Sequence, residues 1–408
     1  MNFELFVAGR MHSGKTGAFS GSFIHIAIIS VALGVTMMIL SDAILVGFQG
    51  AIRDKIAGFA GHIRISPFSG NDSWEQQPVD TYENWLYQIQ QTEGVRHAQI
   101  YATKAGIVKN NDQIEGVVLK GVGSDFSWPW FEEQIVEGSA FRVSDTASKA
   151  DEILISKTLS DKLQLHTGDR VSVWFVNNNA STRGRRFTVG GVYETGLAEF
   201  DELFALCDIR HIQKLNNWND DQIAGVEVFV DDFSDLEKVN AQIYSVLPYS
   251  LDARTIKDLY PQMFDWLALQ DTNVVVIMVL MVLVAGITMI ATLLIIILER
   301  TAMIGIFKAI GARGKSISRI FIYNAMRIIG KGLLWGNIIA LTLAGIQQQT
   351  GLIRLPKESY YVSTVPVDLN IWHILLINAG TVIVCAFMLI FPSRIIGRID
   401  PVKSIRMQ

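Results

Sequence analysis

Four long apolar stretches, separated by polar sequence, form the most prominent pattern along the chain. About 20 apolar residues in a helix span the hydrocarbon core of a bilayer, and each stretch is close to that length. We therefore predict an α-helical membrane protein with four transmembrane helices, one before and three after a long polar segment. The third stretch is the least apolar, because Arg327 and Lys331 lie near its start, where they can snorkel towards the headgroups. The predicted helices cover residues 23–47, 273–298, 320–346 and 371–391.

Basic residues next to these stretches predict their orientation, because short cytoplasmic segments carry an excess of lysine and arginine. We expect the lead-in (1–22), the loop after the second helix (299–319) and the tail (392–408) to be cytoplasmic, as are both termini. The segment 48–272 instead carries about 20 basic against about 33 acidic residues, which favours a periplasmic domain. The basic flanks contain Arg10, Lys15, Arg300, Lys308, Arg313, Lys315, Arg319, Arg394, Arg398, Lys403 and Arg406.

Composition agrees with a membrane protein. The chain has 408 residues, is 50% hydrophobic and has a mean hydropathy of +0.30, which is more apolar than a typical soluble protein. The first apolar stretch is too long for a signal-peptide core and no small-x-small cleavage site follows it, so we expect it to be retained. Cys207 and Cys385 fall in the outer segment and the last helix, and no disulfide is expected.

The outer segment, 48–272, has the pattern of an α+β domain. Strand–helix–strand patterns begin at GHIRISPF and at AGVEVFVDD, the second with Ser234 as the expected N-cap of its helix. Residues from about 121 to 222 contain strands and turns, such as HTGDR at 166–170. We predict a split β-α-β lobe with a β-rich insert. Apolar residues at helical spacing in 258–270 predict a stalk that leads into the second membrane helix, and 347–370 is expected to be a further periplasmic loop.

One motif suggests nucleotide binding. GRMHSGKT at residues 9–16 matches the phosphate-loop pattern G-x-x-x-x-G-K-[ST] at every position. Such a loop works between a buried strand and a soluble helix, whereas here a membrane helix follows within a turn. The acidic strand GVEVFVDD, which could complete a magnesium site, is expected across the membrane. The sequence therefore does not favour an ATPase, and we predict no cofactor.

No other residue pattern indicates catalysis. The seven histidines lack metal-ligand spacing, and no G-x-S-x-G elbow is present, so we predict neither a metal site nor an enzyme. Asp42, near the outer end of the first helix, has two interpretations. One is a functional group, since an ionisable residue inside a membrane span is costly. The other is a side chain that simply reaches water at the outer end of the helix.

The segment after the second helix, LERTAMIGIFKAIGARGKSISRIF, is basic, amphipathic and too short to form a domain. One interpretation is a helix that lies on anionic lipid. The other is a knob that docks into a soluble partner and transmits its motion to the membrane helices. Composition leaves both open.

Several motifs carry a family resemblance. ERTAMIGIFKAIGA resembles the E-R-x-x-x-I-G-I-x-K-A-[LI]-G-A segment of permeases in the MacB/FtsX-like ABC superfamily, and IGRIDPVKSIR resembles its closing motif. VGFQGAIRDKIAGFAGHIRIS, VGGVYETGLAEFDELFALCDI and LPKESYYVSTVPVDL resemble the lipoprotein-releasing permeases of the LolC/LolE family. The resemblance extends over essentially the whole chain.

This resemblance implies a permease subunit in the bacterial inner membrane. Two permease chains, sister or identical, would pair with a dimer of soluble ATPase subunits, without nucleic acid. A triacylated lipoprotein would enter from the outer leaflet and pass to a periplasmic carrier. Moving acyl chains out of lipid costs about 0.8 kcal/mol per CH₂, so the partner ATPase would have to supply the energy.

The resemblance also implies roles for particular residues. The coupling helix that contacts the ATPase matches the segment 299–319. The lipoprotein cavity would lie between the first and second helices of opposing chains, although ordinary helix packing or lipid contact also explains its apolar candidates. The coupling candidates are Glu299, Arg300, Gly305, Lys308, Ala309 and Gly311, and the cavity candidates are Met37, Leu40, Ile44, Phe48, Val276 and Met281.

The carrier-docking loop departs from the family pattern. In the carrier-binding subunit a proline-bearing hairpin projects from the insert, but the matching VNNNASTRGRRF (176–187) is shorter and has no proline. Arg183, Arg185 and Arg186 could attract an acidic carrier, or could simply be solvated. It stays open whether the chain is the carrier-binding subunit, its sister or half of a homodimer.

Two other functions use the same core. An FtsX-like protein activates an extracytoplasmic hydrolase, but its outer domain is typically much smaller than 48–272. A MacB-like exporter usually has its ATPase fused at the N-terminus, which this sequence lacks. We therefore favour lipoprotein release over both alternatives.

Overall fold

The computed structural model describes residues 4, 6–7, 18–68, 74, 77–81, 84–110, 113–144, 149–176, 182–356 and 360–393. The phosphate-loop match at 9–16 and the closing motif in the tail lie outside these residues. The chain divides into two compact units. The helical unit comprises Met1–Gly50, Trp266–Arg354 and Thr364–Gln408, and the α+β unit comprises Ala51–Asp265 and Leu355–Ser363.

The elements follow one another in this chain order: α1 (Ala18–Ala60), β1 (Ile63–Pro67), β2 (Val79–Asp80), α2 (Trp85–Gln90), β3 (Val95–Asn110), β4 (Gln113–Val122), α3 (Trp128–Glu132), β5 (Ile135–Gly138), β6 (Glu152–Ser156), α4 (Lys157–Leu163), β7 (Arg170–Val176), β8 (Thr182–Tyr193), α5 (Ala198–Asp201), β9 (Phe204–Asp208), α6 (Ile209–Asn216), β10 (Gln222–Ile223), β11 (Gly225–Val230), α7 (Leu236–Val246), β12 (Leu251–Thr255), α8 (Ile256–Leu259), α9 (Pro261–Glu299), α10 (Thr301–Ala309), α11 (Gly314–Thr350) and α12 (Ile371–Ser393).

Among the described residues, four helices are long and apolar enough to cross a membrane: α1 from Ser22, α9, α11 and α12. The four predicted spans lie inside them, but α1, α9 and α11 extend further at both ends. Helix α1 continues to Gly61, whose φ of +72° and N–H bond to the Ala57 carbonyl, 2.8 Å, form a left-handed C-cap. Helix α9 begins at Pro261, so the predicted stalk is mostly the first part of this same helix.

The helical unit is held together by close backbone contact. A Cβ atom added to Gly332 would lie 2.7 Å from the Val31 Cβ, and one added to Gly336 would lie 2.8 Å from the Ala32 carbonyl. The Thr36 hydroxyl of α1 donates to the Gly336 carbonyl at 3.0 Å. Small residues therefore let α1 and α11 pack closely, as is common between membrane helices.

A ten-stranded sheet forms the centre of the α+β unit. Its order is β12-β1-β11-β3-β4-β9-β6-β8-β5, and β7 pairs with both β3 and β8. The two predicted strand–helix–strand patterns supply β12, β1, β11 and β3, which are neighbours. Strand β3 is long enough to pair with β11 through Val95–Tyr101 and with β4 beyond that point. The sheet is therefore continuous, and β4 begins before the predicted insert boundary at residue 121.

Two local predictions had different outcomes. The predicted turn at 166–170 lies between α4 and β7, where the His166 N–H donates to the Asp169 carboxylate at 2.8 Å. The prediction that Ser234 caps the following helix is wrong. Asp232 accepts from the Ser234 N–H and hydroxyl, each at 2.8 Å, and so caps a short 3₁₀ turn before α7. A carboxylate accepts more strongly than a hydroxyl, which explains the shift.

An ion pair is buried within the α+β unit. The Lys120 ammonium of β4 lies 2.7 Å from the Glu227 carboxylate of β11, and both side chains are nearly inaccessible to solvent. Gln99 donates to Glu227 at 2.9 Å, and Lys120 also donates to the carbonyl of Phe59. Phe59 is in the last turn of α1, where helix carbonyls lack intrahelical donors and a cation is favourable. The ion pair therefore joins the end of α1 to the middle of the sheet.

We expect acid to weaken the α+β unit through His62. Burial, together with the nearby charges of Arg96 and Arg53, lowers the pKa of His62 to about 4. The His62 Nδ1 accepts from the Val230 N–H at 3.3 Å. The unfolded chain then binds the extra proton between about pH 6.5 and 4, so stability falls as pH falls through that window. The loss should reach about 3 kcal/mol near pH 4.

This prediction is tested by thermal unfolding of the full chain in detergent at pH 6.5 and 4.5, beside His62→Gln. Glutamine cannot titrate, so the variant should lose less stability than the wild type between the two pH values. Because both chains share every other titratable group, equal losses would rule out His62 as the cause.

Candidate coupling and transport surfaces

Helix α10 and its flanks form an amphipathic segment within the helical unit. Ile304 is buried completely and Gly305 is buried beside it, and both belong to the face that packs against the unit's core. The opposite face is apolar but open: Leu298, Ile306 and Ile310 are 68%, 53% and 78% exposed. Leu298, Ile306, Ala309 and Ile310 are called the α10 surface below. Exposed apolar groups of this kind mark contact with a partner or with lipid.

Gly311 ends α10 by a defined motif. Its φ is +97°, its N–H donates to the Lys308 carbonyl at 3.0 Å, and the Ala312 N–H donates to the Phe307 carbonyl at 2.9 Å. These two bonds are those of a Schellman cap, which needs a left-handed residue and so favours glycine. The glycine of the sequence motif is thus explained by helix termination.

The predicted coupling residues separate into three environments. Glu299, Ala309 and Gly311 are exposed, Arg300 and Lys308 are half-buried, and Gly305 is buried. Gly305 therefore serves packing within the unit, whereas the exposed residues are accessible to a partner. The sequence motif gave no sign that Ile306 and Ile310 are exposed apolar residues. Exposed cations follow the helix: Arg313, Lys315 and Arg319.

Two of the predicted cavity residues lie at an interface between α1 and α9. At Gly34 the two backbones lie close together, since a Cβ there would lie 3.6 Å from the Met281 carbonyl. The Phe48 and Trp266 rings are 5.6 Å apart. The candidates Phe48 and Met281 thus lie between the two helices.

Three of the remaining four cavity candidates are exposed. Met37, Ile44 and Val276 are 40%, 37% and 52% exposed, and Leu40 is half-buried. Met37 and Ile44 are exposed on α1 at helical spacing, whereas Leu40 packs against the core of the helical unit. Exposed apolar area beside the α1–α9 interface suits lipid or an acyl chain equally.

Asp42 has a partner that the sequence did not reveal. The His373 Nδ1 of α12 lies 3.0 Å from the Asp42 Oδ2 and 3.3 Å from its Oδ1. Nearby, the Asp368 N–H donates to the Ala43 carbonyl at 3.0 Å. Asp42 therefore links α1 to the start of α12, although the two residues are 331 positions apart in the sequence.

The three arginines of the predicted docking loop do not share a face of the sheet. Arg183 and Arg185 stand opposite Phe175 and Val173, whereas Arg186 stands opposite Ser172 on the other face. Arg183 donates to Asn217 Oδ1 at 3.2 Å, and Arg185 is half-buried. The tip of the hairpin, 177–181, lies outside the described residues.

Arg186 lies on an exposed apolar face. Trp174 of β7 pairs with Ile107 of β3, and the two side chains are 45% and 43% exposed. Lys109 and Arg186 both pair with Ser172, two residues along β7 from Trp174. Two cations therefore lie on the same face as Trp174 and Ile107. Ile107, Lys109, Trp174 and Arg186 are called the β7 face below.

The described part of the chain holds no group of three or more histidine, cysteine, aspartate or glutamate side chains that could bind a metal ion. Cys207 and Cys385 are each buried, in the α+β unit and the helical unit respectively.

Two family profiles match the chain. The MacB-like periplasmic core domain matches residues 25–246, and the FtsX-like permease C-terminal domain matches residues 275–401. The chain is 22% identical to the lipoprotein-releasing system transmembrane protein LolC of Neisseria meningitidis, over 98% of this chain and 97% of the relative. It is 21% identical to the corresponding LolE of Haemophilus influenzae, over 99% of each chain. The periplasmic region of MacB from Actinobacillus actinomycetemcomitans aligns at a TM-score of 0.34 and 12% identity, over 52% of this chain and 95% of that chain.

Four membrane-length helices and the MacB-like core domain define the class: a multi-pass permease of the bacterial inner membrane. The MacB-like match alone extends over more than half of the sequence, and the relatives align from end to end. The chain belongs to the LolC/LolE family of MacB-like and FtsX-like ABC transporter permeases.

Proposed function

We propose that this permease releases lipoproteins from the outer leaflet of the inner membrane, driven by ATP hydrolysis in a separate subunit. One observation carries the proposal: helix α9 runs without a break from Pro261 to Glu299 and leads directly into α10, whose outer surface is apolar and unfilled. A rigid helix that ends in a docking surface can transmit a partner's motion. The matched relatives are named as parts of a lipoprotein-releasing system, which supplies the cargo.

The proposed topology follows from charge. We propose that α10 and both termini are cytoplasmic and that the α+β unit is periplasmic, because short cytoplasmic segments carry an excess of lysine and arginine. Helices α1, α9, α11 and α12 are then the four spans, with their extensions beyond the bilayer. The segment between α11 and α12 is periplasmic in this topology.

The α10 surface is the proposed contact with an ATPase dimer. Leu298, Ile306 and Ile310 supply its apolar area, and the exposed cations Arg313, Lys315 and Arg319 follow α10 in the sequence. In this proposal exposed Glu299 and Ala309 and half-buried Arg300 and Lys308 would contact the partner, whereas Gly305 and Gly311 shape the helix.

The lipoprotein would enter beside the α1–α9 interface. Met37 and Ile44 of α1 and Val276 of α9 would offer exposed apolar area to acyl chains, with Leu40 half-buried beside them, and a second permease chain, sister or identical, would close the opposite side. Each CH₂ moved out of lipid costs about 0.8 kcal/mol, so three acyl chains require tens of kcal/mol. Hydrolysis in the ATPase must therefore drive closure.

The β7 face is the proposed carrier contact. Trp174 and Ile107 supply exposed apolar area, and Lys109 and Arg186 supply positive charge that would steer an acidic carrier. This revises the three-arginine loop: Arg183 and Arg185 lie on the other side of the sheet.

The test is to extract the tagged full chain gently from its membrane and to identify bound proteins and lipids by mass spectrometry. We expect a soluble ATPase and a triacylated lipoprotein, the latter released on addition of ATP but not of ADP. An ATPase with a cell-wall hydrolase and no lipoprotein would instead support an FtsX-like regulator. Absence of any ATPase would contradict both functions.

A further inference from the structure

Lys55 makes an unusual three-way contact in the α+β unit. This half-buried residue lies on α1, and its ammonium donates to the Thr195 carbonyl at 2.6 Å and to the Tyr361 carbonyl at 2.8 Å. The two carbonyls belong to segments that are 140 and 306 residues away in sequence. One is the turn between β8 and α5. The other is Leu355–Ser363, called the strap, which connects α11 to α12.

The first acceptor is held rigidly. The Asp201 carboxylate accepts from the Thr195 N–H, the Thr195 hydroxyl and the Gly196 N–H at 3.1, 2.8 and 2.8 Å. Gly196 has a φ of +75°, and a Cβ there would lie 2.9 Å from the Lys55 Nζ. The turn therefore directs its carbonyl at Lys55 and leaves room for the ammonium.

The second acceptor is held in an unfavourable conformation. Tyr361 has a φ of +61°, which residues with a side chain rarely adopt, and such strain persists only where surroundings impose it. Its hydroxyl is hydrogen-bonded to the Glu199 side chain of α5, and the Leu355 N–H donates to the Ser363 carbonyl at 3.0 Å. Tyr361 of the strap is thus held on α1 and α5, and Leu355 and Ser363 are hydrogen-bonded to each other.

We infer that Lys55 is a positioning residue that fastens the strap to α1, so that movement of α1 is passed to the connection between α11 and α12. This inference rests on the proposed transport function. Other hydrogen bonds already join α1 to α11 through Thr36 and to the start of α12 through Asp42 and Ala43, and Lys55 adds the contact with the strap itself. A charged donor bonded to two backbone carbonyls resists sliding of the strap along α1, because charge-assisted hydrogen bonds are stronger than neutral ones.

The fastening is tested by hydrogen exchange on the purified full chain in lipid nanodiscs. Lys55→Met should speed exchange of the Leu355 and Gly196 amides at least tenfold. Lys55→Arg, which keeps two donors, should restore much of the protection. Lys162→Met is the matched control, since Lys162 is an exposed lysine of α4. Unchanged exchange in Lys55→Met would overturn the inference, and the amides of β11 report whether the variant is folded.

The mechanical role is tested in the complex with its ATPase. Lys55→Met should keep ATP hydrolysis within twofold of wild type but release at least tenfold less lipoprotein per ATP. If exchange increases and this ratio is unchanged, the strap is only structural and the mechanical role is overturned. If the wild-type complex releases no lipoprotein, the proposed function fails and the mechanical role with it. The exchange experiment still decides whether Lys55 holds the strap.

Discussion

Ile310→Asp should remove the ATPase from the complex. Ile310 is 78% exposed at the end of α10, so an aspartate there meets water in the isolated chain and leaves the fold intact. In the proposed complex the same carboxylate would be buried in an apolar contact without a partner, which costs several kcal/mol. We expect affinity for the ATPase to fall at least a hundredfold, measured by co-purification and titration.

Val136→Asp is the matched control, because Val136 is a 53% exposed apolar residue of β5 in the other unit. It should leave ATPase binding unchanged. If Ile310→Asp still bound its ATPase normally while the α10 surface attached to anionic vesicles, α10 would be an interfacial helix. The proposed coupling site would then be wrong.

Lys120→Met should destabilise the α+β unit by about 3–5 kcal/mol. The substitution leaves the Glu227 carboxylate buried with only Gln99 as its described hydrogen-bond donor, and leaves the Phe59 carbonyl without its ammonium. Removing one partner of a buried pair costs far more than the pair itself contributes. Amide exchange of β11, measured on the full chain in detergent, gives the change in opening free energy.

Two variants separate the buried charge from general damage. Lys120→Met with Glu227→Met should recover most of the loss, because replacing both members of a buried pair by apolar groups is often neutral. Lys257→Met breaks an exposed pair with Glu237 and should change stability by less than about 1 kcal/mol. A loss below that value for Lys120→Met would mean that water reaches Glu227.

The sequence alone determined the features that depend on residues close together in the chain. Apolar runs of membrane length became α1, α9, α11 and α12, because helix formation and hydropathy are local properties. The turn at 166–170 separates a helix from a strand, since turns use local backbone preferences. Gly311 was predicted to take part in coupling, and it was the structure that revealed its role in ending α10. The ends of the long helices were missed, because polar residues after residue 47 continue α1 until Gly61.

Only the tertiary structure decided the contacts between distant segments. Lys120 with Glu227, Asp42 with His373, and Lys55 with two carbonyls all join residues more than a hundred positions apart. Pattern reasoning treats each such residue alone, so Asp42 had two open interpretations and the docking arginines seemed to act together. Sheet register placed Arg186 on a different face from Arg183 and Arg185, because side chains alternate along a strand. Periodicity and composition do not say which distant residues become partners, because those contacts form only when the chain folds.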